Sequence, residues 1–513
     1  MSAPGGNTGA ELLIVPPLTD FTTSVVPPQT AELLDLSAHF VRRIADPARL
    51  EEAAARLDTQ TAGREEALHA LFATAAAAVL RRPGPGIYDR ARLRATGMAL
   101  RLVGESDPAL TLSLDDLELR DGTTESGAAV VAAAARTGLF APEIELARQR
   151  AGGSQDVQIM VDTDQQLPVA IALVQALGAH RTILCGRFAA QHQQALGLLQ
   201  ATREVRINDG RPSRIVRTEW AGRPHHAVHW ATDPLEATPD RPWAGWLDAT
   251  DTTAVPAAAW RTCTGLTLTV ARLDSWETAT GVYGRLADLS VVWDRLRADV
   301  PVAVELLVGA PGADTKTLRA AINRIVGRTP DAGPARPRPV LAGLRPFRLP
   351  RDGGPTWNAV PVRAEARPDH DLARWAEFTA PGTLTPQGRL DTIHALLAEL
   401  ARSTDFFPGR MAGALTTMAP LETAEQLPVE QPVWDPSAQV VATEQADPDG
   451  RGPGTFVAHL RTGAAFRLHP RLAPVVSALA DGKGEQIKRL PAATRTKLLG
   501  QLARAGALRR NDT

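Results

Sequence analysis

Residues 301–312 read PVAVELLVGAPG, followed by Asp314 and a run that puts Leu318, Ile322 and Ile325 on one stripe. An apolar, β-branched run closed by two glycines and a proline, then a 3.6-residue period, predicts strand, tight loop and helix. Asp314 is placed to cap that helix, because its carboxylate accepts from amides that lack an intrahelical partner. Gly309 and Gly312 permit positive φ and close approach of a ligand, so with Pro311 they form a candidate cradle for a carboxylate or phosphate. An ordinary β-to-α turn has the same pattern.

The flanking segments extend the reading. Residues 263–270, CTGLTLTV, predict a strand, and residues 283–298 predict a helix with Leu286, Leu289, Val292 and Leu296 on one face. Residues 340–349 supply a third strand. The β-α-β-α-β order implies parallel strands covered by helices and an α/β class. Upstream, residues 157–186 read as strand, helix and a strand ending in Gly186, and residues 11–17, ELLIVPP, as another strand. Between them, helical spacing recurs over 48–57, 65–80, 90–102, 127–135 and 143–150, and 109–119 reads as extended. These helices are expected to form an insertion that caps the first sheet.

The strand GLTLTV, the helix after it and the glycine-proline-glycine strand end resemble the cobalamin-dependent radical SAM enzymes that mature ribosomally made peptides. ELLIVPP and residues 157–186 are similar to the cobalamin-binding domain of that family. The resemblance covers more than half of the chain, in patches. It implies a Rossmann-like cobalamin-binding-type domain and a radical-SAM-like (β/α) half-barrel. It also implies cofactor contacts at Asp162, Asp164, Gly186, Gly309, Pro311 and Gly312, with cobalamin or S-adenosylmethionine as the ligand. At the D-x-H-x-x-G position of a cobalt ligand this chain has Asp162-Thr163-Asp164.

The departures decide the chemistry expected. A radical SAM cluster needs three cysteine thiolates in a tight C-x3-C-x2-C run. The chain has 2 cysteines, Cys185 and Cys263, far apart in sequence. The stretch from 208 to 263 is also too short for the first half of the family's barrel. The expectation is therefore a truncated barrel with no iron–sulfur cluster and no catalytic residues of its own.

Composition narrows the class. With 56 basic against 57 acidic residues, nothing favours a long-range field for nucleic acid. No apolar run reaches the length of a membrane span and the opening MSAPGGNTGA lacks a signal-peptide core, so the reading is cytoplasmic. Two cysteines make no disulfide framework. Regular patterning fades from 220 to 260, where five of the 10 tryptophans fall (Trp220, Trp230, Trp243, Trp246 and Trp260), suited to lining a pocket or to plugging the lost half-barrel. His225, His226 and His229 have partial metal-ligand spacing but no completing ligand. His370, between Asp369 and Asp371, reads as a polar loop with no serine elbow to serve.

Residues 427–436 suggest a linker. Beyond it, 439–443, 455–460 and 464–468 read as strands, followed by helices from Pro470 and over 493–505. This end resembles a winged helix and the leader-peptide recognition domains of peptide-maturation enzymes. The resemblance implies peptide contacts at Phe466, Arg467, Leu468 and Leu472, by strand-edge addition beside a helix. The expected division is a cobalamin-binding-like domain with a helical insertion over 1–215, a degenerate partial barrel over 216–430, and a winged-helix-like domain over 431–513. The function expected is that of a non-catalytic pseudoenzyme that binds a precursor peptide or a partner enzyme. The alternatives are a cobalamin- or S-adenosylmethionine-using enzyme without its own cluster and, from basic residues such as Arg495 and Arg504, a winged-helix regulator.

Overall fold

The computed structural model describes residues 11–17, 23–82, 89–114, 116–152, 156–216, 228–325, 340–365, 367–403 and 433–509. The chain is mixed α/β, with parallel sheets and several smaller ones. Contacts divide it into two units, each assembled from separate stretches of sequence: 1–41, 104–394 and 408–418 in the first, 42–103, 395–407 and 419–513 in the second.

The first unit is built on two main sheets, with smaller ones beside them. Strands β1 (Glu11–Val15), β2 (Thr23–Val25) and β3 (Ala31–Asp35) open the chain. β4 (Val157–Met160), β5 (Thr182–Cys185) and β6 (Arg206–Ile207) follow. β1 and β3 to β6 make a sheet of order β3-β1-β4-β5-β6, parallel throughout. Parallel strands covered on both faces read as continuous apolar runs, and in β1 Leu12, Leu13, Ile14 and Val15 are all buried. The helix Leu167–Leu177, apolar around its circumference and buried at eight positions, connects β4 to β5.

The second sheet adds β7 (Arg214–Val216), β8 (His229–Ala231), β9 (Trp243–Asp248), β10 (Cys263–Val270), β11 (Val302–Val308) and β12 (Val340–Pro346). Its order is β12-β11-β10-β9-β8-β7-β2. The five strands from β8 to β12 are parallel and adjacent in chain order, while β7 and β2 pair antiparallel at one edge.

Three expectations are corrected here. Residues 228–260 are not irregular: β8 and β9 lie in them, and buried tryptophans on strands covered on both faces leave no alternation to detect. The helix expected over 283–298 is replaced by an antiparallel strand, Leu286–Asp288, and a short helix, Ser290–Arg295. The positive φ of Gly284 turns the chain there, and Leu286 is 63% exposed rather than part of a buried stripe. The expected boundary at 215 falls inside β7, and β2 from the expected first domain belongs to the second sheet. Trp220, His225 and His226 lie outside the described residues.

The second unit has its own layers. β13 (Ala438–Ala442), β14 (Thr455–His459) and β15 (Ala464–Arg467) form an antiparallel sheet in that order. On one face Val457 and Leu468 pack with Val476, Leu498 and Leu502 of the helices Ala473–Ala480 and Ala492–Arg504. On the other, Val441, Phe456 and Ala458 meet Leu71, Phe72 and Ala75 of the helix Arg64–Arg81. The helix Arg64–Arg81, expected in an insertion within the first domain, thus belongs to the second unit, where its alanine-rich face complements this sheet. Among the described residues no helix is long and apolar enough to cross a membrane.

Candidate functional site

Ligands of open parallel sheets bind in the crevice beyond the carboxyl ends of the strands, where strand order reverses. In the first sheet that reversal lies between β1 and β4. A cleft of about 580 Å³ opens beside it, at the carboxyl ends of β4 and β5, lined by Asp162 and Asp164 after β4 and Arg187 after β5. The second sheet contributes its own carboxyl-end residues: Thr232, Trp246, Asp248, Thr269 and Arg345.

Local geometry fixes these side chains. Gly186 has φ +97°, and a β-carbon on it would stand 2.6 Å from Oδ1 of Asp162. That close approach lets the amide of Arg187 donate to the same Asp162 oxygen at 2.9 Å. Oδ2 of Asp162 meets the guanidinium of Arg214 at 2.6 Å. Asp164 accepts from the Thr124 hydroxyl at 2.5 Å. Gln166, fully buried, accepts from the amide of Asp162 and so fixes the strand end.

A polar relay crosses the floor of the second sheet. The Trp246 indole donates to Thr269 at 2.8 Å, Thr269 donates to buried Glu305 at 2.9 Å, and Glu305 pairs with Arg345 through both oxygens. Four adjacent strands thus present polar groups where a packed barrel would carry branched apolar ones. On the rim, Arg348 and His370 converge on Glu125, His370 at 2.8 Å. Burial works to raise Glu125, but the guanidinium of Arg348 and the hydrogen bonds from Arg348 and His370 hold it below the ordinary carboxylate range. His370 is thus hydrogen-bonded into the Arg348–Glu125 cluster, a link hidden from sequence by the 245 positions between it and Glu125.

The expected cofactor contacts divide. Asp162 and Asp164 line the cleft and Gly186 adjoins it, whereas Gly309, Pro311 and Gly312 are absent from its lining. The open face of Gly309 is filled by the stem of Arg389, whose side chain is wholly buried. Arg389 pairs with Glu377 at 2.6 Å and its guanidinium lies 4.7 Å from the centre of the Phe378 ring. The glycine thus makes room for an arginine of the chain itself. Asp314 does cap the following helix, accepting from the Thr317 amide at 2.7 Å.

No protein-family model, curated protein or solved structure matches this chain.

Both cysteines are buried. Burial, aided by the carboxylates of Asp162 and Glu11, pushes the Cys185 thiol up to about 12. Burial alone outweighs a hydrogen bond and Arg297 to bring Cys263 to about 12 as well. Neither offers a thiolate at neutral pH. His229 lies on β8 rather than on a helix. Burial, then the charge of Arg241, lowers its pKa, so it is neutral near pH 7. Among the described residues no three His, Cys, Asp or Glu side chains gather as a metal-binding set.

In the second unit the expected peptide contacts fall on opposite faces of the sheet. Leu468 is 4% exposed and shares one core with Phe466 and Leu472. Arg467 points the other way, 4.8 Å over the Phe456 ring and 2.6 Å from Asp449. A groove of about 510 Å³ runs along β13 and the helix Ala473–Ala480, lined by Val440, Ala442, Ala473 and Ser477 together with two of the expected contacts, Arg467 and Leu468. The amide of Thr443 donates to Gly454, and antiparallel alternation then turns the backbone groups of Val440 and Ala442 away from β14. Sequence gave no sign of this edge, because which strand ends a sheet is decided by pairing.

Proposed function

We propose that this chain is a non-catalytic relative of the cobalamin-dependent radical SAM enzymes that binds a precursor peptide or a partner enzyme in peptide maturation. The observation that carries the reading is the state of its two cysteines: both are buried with their thiols protonated, and two thiolates cannot seat a cluster that takes three. The sheet order β3-β1-β4-β5-β6 is that of Rossmann-like ligand-binding domains, and five parallel strands in chain order suit a partial barrel. A three-stranded meander followed by helices supports the reading of this end as a unit like the leader-peptide recognition domains. Its open β13 edge beside an apolar groove suits strand addition, in which main-chain hydrogen bonds supply affinity and side-chain pockets supply specificity.

The test is direct. A labelled precursor peptide, or the partner enzyme encoded beside it, is titrated into the protein by anisotropy, and the partner's turnover is followed with and without the chain. Binding or altered turnover supports the proposal. It fails if neither occurs, or if anaerobically reconstituted protein retains iron and sulfide and cleaves S-adenosylmethionine.

The cleft favours a second reading, an enzyme that uses a cofactor without a cluster. Its volume lies within the range of about 300 to 1,000 Å³ typical of small-ligand pockets, and Asp162 and Asp164 line it. That space suits S-adenosylmethionine, whereas a corrin with its nucleotide tail is far bulkier, and Gly186 is already covered by Asp162. Calorimetry with each ligand decides between them: heat from S-adenosylmethionine alone fits this reading, and heat from neither removes it.

A further inference from the structure

One end of the cleft gathers four arginines. Arg187, Arg211, Arg214 and Arg241 all line the wall around β7, β8 and the turn Pro234–Glu236. The carboxylates there are largely engaged. Oε2 of Glu236 accepts from the amides of Thr232 and Asp233, closing its own turn, and approaches Arg187 only through its other oxygen at 3.9 Å. Asp162 holds the amide of Arg187 and the guanidinium of Arg214. Asp233 caps Leu235 and stands 3.9 Å from Arg211, both half exposed. Arg241 makes no ion pair among the described residues.

Four guanidinium groups thus face the carboxylates of Asp162, Asp233 and Glu236, each of which already accepts backbone hydrogen bonds, with exposed Asp240 beside Arg241. Arg214 and Arg187 are anchored, the latter also to the hydroxyl of Thr232, so little ordering remains to be paid for when an anion arrives. Arg211 and Arg241 can swing onto it. A planar guanidinium fork matches phosphate in a bidentate way, which a lysine cannot do. His229, buried among these cations, stays neutral, its ring hydrogen-bonded to the backbone of Arg214 and Glu236.

We propose that this end of the cleft binds the phosphate group of a small phosphorylated organic ligand, with Arg187 and Arg214 as the fixed donors and Arg211 and Arg241 as the closing pair. The body of the ligand extends toward Trp246 and Trp375, which line the same cleft. The proposal is independent of peptide binding.

The test uses the full chain with inorganic phosphate, pyrophosphate, adenosine monophosphate and adenosine, by calorimetry and ³¹P NMR at two salt concentrations. Saturable binding of phosphate or pyrophosphate, or binding of adenosine monophosphate at least tenfold tighter than adenosine, is expected, weakening as salt screens the charges. Arg211→Gln and Arg241→Gln, at solvent-facing positions that should fold as the parent does by circular dichroism, are each expected to weaken it about tenfold. The His229 ring resonance should titrate at higher pH once the anion is bound. The proposal is overturned if no phosphate compound binds at millimolar concentration, if adenosine binds as tightly as its monophosphate, or if both variants bind as the parent does.

Discussion

Arg389 lies across Gly309, its Cγ 2.5 Å from where a β-carbon on that glycine would stand. Gly309 also has φ +83°. Gly309→Ala must therefore both adopt a left-handed backbone and displace a buried cation that pairs with Glu377. Left-handed strain of about 1 kcal/mol and overpacking of about 1 to 3 kcal/mol predict a loss of roughly 2 to 4 kcal/mol in denaturant unfolding. Gly312→Ala, with φ +75° but only ordinary contacts around the new methyl, should lose only the strain, about 1 kcal/mol. Equal losses would show that Arg389 yields freely.

The thiols should be silent in the native protein. With both pushed up to about 12 and out of solvent, a neutral disulfide reagent is expected to titrate essentially none at pH 8 and two after unfolding in urea. Rapid native reaction of either thiol would contradict the burial on which the functional proposal rests.

His192 predicts how stability responds to acid. Burial, then the charge of Arg374, lowers its pKa to about 4, below the unfolded value near 6.5. The unfolded state then binds more protons between these values, so stability is full above about pH 6.5 and falls as pH drops toward 4. Urea midpoints at pH 7 and pH 5 should differ less in His192→Gln than in the parent. An unchanged difference would mean that the imidazole protonates freely in the fold.

Asp58 closes a loop of the second unit. Its carboxylate accepts from the amides of Glu444, Gln445 and Ala446 at 2.8, 3.0 and 2.5 Å. Burial opposes ionisation, yet these bonds together keep its pKa below the usual value. Asp58→Ala should cost about 1 to 3 kcal/mol, with Asp58→Asn intermediate. The contribution is present above about pH 4 and lost as pH falls through the lowered folded value.

Strand edges can be probed by removing single amides. Ala442 turns its N–H away from β14, so proline there leaves the native ladder intact. Ala442→Pro is expected to unfold within about 1 kcal/mol of the parent while abolishing peptide capture at β13. Ala465→Pro removes the corresponding outward amide on β15 and serves as the comparison. Loss of binding in Ala465→Pro alone would move the docking edge to β15.

How much was legible follows from how each feature is encoded. Helices such as Arg64–Arg81 and Ala141–Ala151 carry local periodicity, and their expected spans agree with the structure within a few residues. β10, β11 and β12 were legible as apolar runs bounded by breakers. β9 was not, because Trp243, Ala244 and Gly245 are buried in succession and carry no period. Asp162 and Asp164 could be placed because a cleft at strand ends follows from chain order. Gly309 was ambiguous, since a glycine that admits a ligand and one that admits Arg389 look alike until position 389 is seen in space. The arginine wall was illegible for the same reason: its members come from three separate stretches, Arg187 after β5, Arg211 and Arg214 at the start of β7, and Arg241 before β9.

The second unit joins residues 42–103 to 419–513. On the ribosome, the helix Arg64–Arg81 emerges with Leu71 and Phe72 bare, and the strand that covers them is made more than 350 residues later. At about 5 to 20 residues per second that delay lasts roughly 20 to 70 seconds. Nascent chains of this protein should therefore recruit holdase chaperones at their amino-terminal third, and any truncation of the last strands should leave that early surface permanently sticky.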